Sequence, residues 1–164
     1  MAIRHRIVRS SAGGFDLRIP RSERNALRGL PEQLRLLLDE GDAEDPALQR
    51  LYPSAYPDDP VAAAEFDGFV RDDLTEQRME AIKIMARTID SAHLDEEEVG
   101  AWLAAVNDLR LVLGIRLAVT EESEPEDFEG DEGTRGSYAL YVYLSMLEED
   151  IVEALSGAPP ASPS

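Results

Sequence analysis

The stretch VGAWLAAVNDLRLVLGIRLAVTEE, residues 99–122, decides how the rest of the chain is read. At about 100° per residue, Val99, Leu103, Val106, Leu113 and Leu117 gather on one arc, the pattern of an amphipathic helix. Asp95, three residues before Glu98, supplies a capping-box start, so a helix is expected over 95–118. One residue breaks the pattern. Arg110 falls near the centre of that arc, where a permanent cation is costly unless a carboxylate or carbonyl meets it.

The segment just upstream repeats the puzzle. Asp59 as N-cap and Pro60 at the first helical position open a long helix over 59–91, with room for a bend at Gly68 or at Asp72 and Asp73. Its stripe is Leu74, Ala81, Ile82, Met85 and Ile89; Arg78 lies within it, and Arg71 lies two turns earlier on the same side. A short corner at His93 and Leu94 favours antiparallel packing of this helix on the next. Asp72, Asp73, Asn107 and Asp108 then offer acceptors to Arg71, Arg78 and Arg110. Such a cluster is either an ion-pair network that fixes helix register, a site for an anion or ligand, or a face partly exposed to a protein partner.

Working outward, IVRSSAGGFDLRI reads as a hairpin within 1–20, with Gly13 and Gly14 at the turn and Phe15, Leu17 and Ile19 alternating with polar residues. Ser22 is a candidate N-cap for a helical segment over 22–40 ended by Gly41, and Pro31 marks a kink or the first turn of a second segment. Its buried stripe is Leu27, Leu30, Leu34, Leu37 and Leu38. A Pro-rich connection follows, with one short helical turn near 46–51. Residues 121–136 carry eight carboxylates against Arg135 and read as an acidic mobile loop. The last helix is expected over 137–156, capped by Gly157, and 157–164 as a disordered tail. The expected fold is all-α: a single domain over 1–156, a compact bundle of about four helices with a small N-terminal β-hairpin. In the last helix Leu140, Leu144, Leu147, Ile151 and Leu155 form a core stripe, while Tyr138, Val142 and Met146 form another on the opposite side. Two stripes need two coverings. Either the helix sits at the centre of the bundle, or the second stripe meets another chain, as a homodimer contact or as the docking face of a protein partner.

Composition narrows the chemistry. The 164 residues contain no cysteine, which removes thiol nucleophiles, disulfides and cysteine-based metal sites. No run of about 18 apolar residues is present to span a membrane, and the first residues lack the apolar stretch of a signal peptide, so a cytoplasmic location is expected. The net charge of −18 is uneven: residues 1–35 carry +5 and the remainder −23. Nucleic acid is therefore repelled by most of the surface, and only Arg4, Arg6, Arg9, Arg18 and Arg21, with Arg24 and Arg28 beyond them, could contact it weakly. Those arginines can equally pair with the domain's own carboxylates. His5 and His93 have no serine partner in a strained turn, and no phosphate-binding glycine loop occurs. Asp90 and His93 form a lone distant relative of a di-iron motif, and the calcium-like alternation of Asp127, Glu129 and Asp131 lacks its glycine and its bidentate glutamate. No enzyme activity, metal or cofactor is expected.

AWLAAVNDLRLVLGIRLAVTEE, together with DDPVAAAEFDGFVRDDLTEQRMEAI and YALYVYLSMLEEDIVEAL, resembles an actinobacterial domain-of-unknown-function family, the AosR-like oxidative-stress transcriptional regulators. The resemblance covers about residues 14 to 156, and the run Asn107-Asp108-Leu109-Arg110-Leu111-Val112-Leu113-Gly114, followed by Arg116, Thr120 and Glu121, is its most specific part. It implies a non-enzymatic cytoplasmic protein that affects transcription by binding a stress sigma factor, with cysteines as the redox sensor. This chain has no cysteine, so that switch cannot be carried over. The family's resemblance also extends to a gene neighbourhood that includes a Clp protease adaptor, which implies an alternative role as an accessory protein in regulated proteolysis.

Overall fold

The computed structural model describes residues 5–52 and 60–157, with backbone alone over 60–69. At the N-terminus, β1 (Ile7–Arg9) pairs antiparallel with β2 (Phe15–Leu17), Ile7 facing Leu17 across the ladder. The turn between them needs glycine: Gly13 and Gly14 have φ of 99° and 69°, and a Cβ on Gly14 would stand 2.9 Å from the Leu94 carbonyl oxygen. That carbonyl belongs to a strand the sequence did not announce. His93 and Leu94 form β3, antiparallel to β2 with Phe15 facing Leu94, where only a corner was expected. Two residues cannot show a strand's alternation.

Downstream, the segment over 22–40 is two helices, α1 (Arg21–Leu27) and α2 (Leu30–Glu40), with Pro31 in the first turn of the second. Ser22 does not cap α1; Pro20 occupies that position and offers no side-chain acceptor. Gly41 ends α2 as expected, its N–H bonded to the Leu37 carbonyl. The short turn is α3 (Pro46–Leu51), capped by Asp45, whose side chain accepts from the Ala47 N–H. Next, α4 runs from Pro60 to Arg87, four residues short of the expected end; Asp59, its proposed cap, lies outside the described residues.

Asp95 and Glu98 close both halves of a capping box at the start of α5 (Glu96–Leu117), and Ala118 in the left-handed region ends it. The acidic stretch is more structured than a loop. It contains a 3-10 turn, Pro125–Phe128, whose Phe128 is buried, and α6 (Glu132–Ser156) begins five residues before the expected start because Asp131 accepts from the Thr134 N–H. Gly157 closes α6 at φ 76°. Among the described residues, four helices reach eleven residues or more, α2, α4, α5 and α6. The fold is mostly helical with a small antiparallel sheet at its N-terminal end.

Helix α5 is the centre, packed chiefly on α6 and α4. Ion pairs 78–108 and 87–98 run in opposite order along α4 and α5, which makes those helices antiparallel. Trp102 is fully buried between them and donates its indole N–H to Thr88 Oγ1 at 2.8 Å; Thr88 in turn donates to the Ile84 carbonyl. One core joins Ile7, Phe15 and Leu17 of the sheet to Leu27, Met85, Val106, Leu144, Leu147 and Ile151. Burial on α5 also includes Ala101, Trp102, Ala105 and Leu109. Including them turns the centre of the buried arc by roughly a quarter turn from the one that Val99, Leu103, Val106, Leu113 and Leu117 define. Arg110 therefore stands at the arc's edge, not at its centre.

Candidate functional site

Two arginines that the periodicity set among apolar residues meet different surroundings. Arg78 on α4 donates its Nε–H to Asp108 Oδ2 on α5 at 3.0 Å, the side chains being 19% and 7% exposed. Burial pushes the Asp108 carboxyl up from its ordinary range, against the opposing pull of Arg78. The Arg78 Nη1 is buried without a hydrogen-bond partner. What lies over it is aromatic: the guanidinium carbons of Arg71 and Arg78 stand 4.3 and 4.9 Å from the Tyr52 ring centroid. The Tyr52 hydroxyl meets Thr75 Oγ1 at 2.8 Å. Asp72 and Asp73 are exposed; Asp73 accepts from Gln77, and neither carboxylate joins an arginine among the described residues. They lie on the outer side of α4. Asn107 makes no hydrogen bond to this group either, so the expected seven-residue network reduces to one ion pair and a stacked ring.

Arg110 points the other way, toward α6. Its Nε lies 2.7 Å from Glu148 Oε2, with the side chains 30% and 21% exposed. The contact is ionic, because the N–H is not aligned with the oxygen. Sequence spacing could not find Glu148, which lies on a helix reached through the acidic stretch.

Most of the described N-terminal arginines engage the domain's own acceptors. Arg6 pairs with Glu23 at 2.9 Å, which lowers the Glu23 carboxyl, and its guanidinium lies over the Tyr143 ring. Arg9 donates to the Leu155 carbonyl and covers Phe15; Arg18 lies 3.9 Å from Asp16. Arg21 is exposed, and Arg4 lies outside the described residues. Arg24 donates to four carbonyls, those of Leu17, Ile19, Ile89 and Ser91. Arg28 grips Asp90 through two hydrogen bonds.

His5 Nδ1 meets Asp150 Oδ1 at 2.9 Å and lies 3.7 Å from Glu153 Oε2, and these acceptors, Asp150 first, raise the imidazole's pKa above its ordinary value. His5, Asp150 and Glu153 could offer three metal ligands, their donor atoms all within 4.8 Å of one another. Both Asp150 oxygens are already engaged, the second by the Arg6 N–H.

The outer side of α6 is the remaining surface. Tyr138 is partly covered, stacked on Phe128 at 4.3 Å and flanked by Tyr141. Val142 and Met146 are 39% and 41% exposed, and Val152 is 50% exposed. Within this chain, then, the second stripe is not central to the core. Beside it, an open groove of about 570 Å³ is lined by Arg110 of α5 and by Ser145, Glu148, Glu149, Val152 and Glu153 of α6.

A helical domain of this kind, with α5 at its centre and an N-terminal strand clipped to its last helix, belongs to a family defined by sequence. Residues 4–155 match the domain-of-unknown-function family DUF2017, and the chain is a member of it. The oxidative stress regulators AosR of Mycobacterium tuberculosis and Mycobacterium bovis are 31% identical to it over 131 residues, 70% of this chain and 60% of theirs. A Mycobacterium leprae relative is 31% identical over 129 residues, 68% of this chain and 59% of its own. The chain thus spans about three fifths of the length of these relatives. No solved structure matches it. Among the described residues no helix is long and apolar enough to cross a membrane.

Proposed function

We propose that this chain is a regulatory protein of the stress response, acting on transcription through a protein partner in the cytoplasm and not as an enzyme. The observation that carries this reading is the likeness of 70% of the chain to proteins named oxidative stress regulators. A sigma factor is the partner the family resemblance suggests. The charge pattern agrees: a chain of net −18 whose arginines largely engage its own acceptors is suited to a basic protein surface and poorly suited to a phosphate backbone. Having no cysteine, the chain does not sense oxidants through a thiol of its own.

Deleting the gene should alter transcript levels of stress-response genes after peroxide treatment, and the tagged protein should co-purify with a polymerase sigma subunit. Isolated protein should bind generic duplex DNA weakly or not at all at physiological salt. Unchanged transcripts in the deletion strain would overturn the regulatory reading, and tight sequence-specific DNA binding by the protein alone would replace the partner with the operator itself.

A further inference from the structure

We propose that the outer face of α6, with Val142, Met146 and Val152 beside Glu149 and Glu153, docks a basic amphipathic helix of a protein partner. This names a surface for the regulatory reading above and rests on it.

Helix geometry sets the face apart. At about 100° per residue, Val142, Met146, Glu149, Val152 and Glu153 occupy the arc opposite Leu144, Leu147, Ile151 and Ala154, which are buried. On a helix covered on one side only, that opposite arc is normally polar. Here it alternates aliphatic side chains with carboxylates. Val142 and Val152 are ten residues apart, a rise of about 15 Å, so an occupant touching both needs roughly three helical turns.

Charge selects the occupant. After Arg135, α6 contains no Lys or Arg, yet it carries Glu148, Glu149, Asp150 and Glu153. Arg110 takes Glu148, and His5 and the Arg6 N–H take Asp150. Glu149 has no ion-pair partner among the described residues, and Glu153 has only the edge of His5 at 3.7 Å. Glu149 therefore flanks the apolar positions uncompensated and Glu153 is only partly met, and the groove beside them is too open to enclose a small apolar ligand. A second copy fits poorly. A two-fold contact would set Glu149 and Glu153 against their own equivalents, between chains that each carry −18. Lys or Arg beside aliphatic anchors on a partner helix meets both requirements.

The test uses the full chain and a synthetic helical peptide of about 18 residues, long enough for the three turns, with leucines on one face and arginines flanking them. A scrambled peptide of equal charge measures the general attraction of an acidic protein. The amphipathic peptide should bind more tightly than the scrambled one, and amide shifts in a labelled sample should cluster on α6 between Val142 and Val152. Met146→Glu should weaken binding about tenfold or more. Glu149→Gln should weaken it less and flatten its salt dependence. Both substituted side chains are exposed, so circular dichroism should be unaltered. Equal binding of the scrambled peptide, shifts clustered away from α6, or a wild-type dimer that Met146→Glu dissociates would each overturn the proposal. Those results leave the transcript response of the deletion strain untouched, so the surface and the regulatory reading fail separately.

Discussion

Between α4 and α5, inside the exposed Arg87–Glu98 pair at the rim, the polar groups are few and deep: Thr88 with Trp102, and Arg78 with Asp108. Between β1 and α6 they are more numerous and shallow, His5 and the Arg6 N–H on Asp150 and Arg9 on the Leu155 carbonyl. Both seams join a neighbour to the same core. The first excludes water, so a polar group that loses its partner there is left buried and unmet; in the second, water can replace a lost partner. Substitutions should therefore cost more in the first seam, and pH should act more visibly on the second.

Trp102→Ala should produce the largest loss, about 3–5 kcal/mol in denaturant unfolding, because it removes a fully buried ring and leaves Thr88 Oγ1 without its donor. A loss below about 1 kcal/mol would mean that the seam rearranges and that the contrast between the two fails. Arg78→Met should come next, at about 3 kcal/mol near neutral pH, since it strands the Asp108 carboxylate. That carboxyl already favours its proton through burial, so its ionised form costs stability above its raised pKa and the cost is relieved as pH falls through it. The loss in Arg78→Met should accordingly shrink as pH falls. Adding Asp108→Leu should restore stability to within about 1 kcal/mol of the parent.

A smaller effect is expected on the shallow side. Arg110→Ala should cost about 1 kcal/mol or less, because both partners in its ion pair keep access to water. A loss as large as that of Arg78→Met would place Arg110 with the deep pairs. His5→Gln should be smallest, a few tenths of a kcal/mol. Because the folded state raises the His5 pKa, its contribution is complete below the unfolded value of 6.5 and is lost as pH rises through the folded value. Thermal scans of parent and variant should differ at about pH 5.5 and converge by about pH 9. Arg116 of α5 donates two hydrogen bonds of 2.7 Å to Asp45, and this contact should have the opposite pH response: Arg116 first, then the Ala47 N–H, hold that carboxyl down to about 2, so the contact is lost only as pH falls toward that value.

The sequence made the helices legible wherever period and caps agreed. Asp95 with Glu98 marked the start of α5, and Gly157 marked the end of α6, because each signal reports the local backbone. Failures came where a neighbour decides. Helix α5 is apolar over most of its circumference, so Val99, Leu103, Val106, Leu113 and Leu117 alone pointed the arc in the wrong direction until Trp102, Ala105 and Leu109 were seen to be buried. Tyr52 reaches Arg71 and Arg78 from beyond the Pro-rich connection, and Arg24 reaches carbonyls beside the α4–α5 corner; neither encounter leaves a trace in spacing. Of the candidate interface, Val142 and Met146 were legible because an apolar pair on the far side of a helix is visible in one sequence. Tyr138 was only half so, since its stacking partner Phe128 lay in a segment read as loop.

The strand clipped to α6 sets an order in time. Residues 5–9 leave the ribosome before their acceptors at Asp150 and Leu155 have been translated, whereas Trp102 follows Thr88 by only fourteen positions. The helical hairpin can close early at small loop entropy, and the N-terminal segment must wait. Until then His5 and the Arg6 N–H lack Asp150, and Arg9 lacks the Leu155 carbonyl, although Glu23 is already present for the Arg6 guanidinium. A transcript truncated before Asp150 would leave that segment in its waiting state permanently, a basic tether on an otherwise acidic fragment.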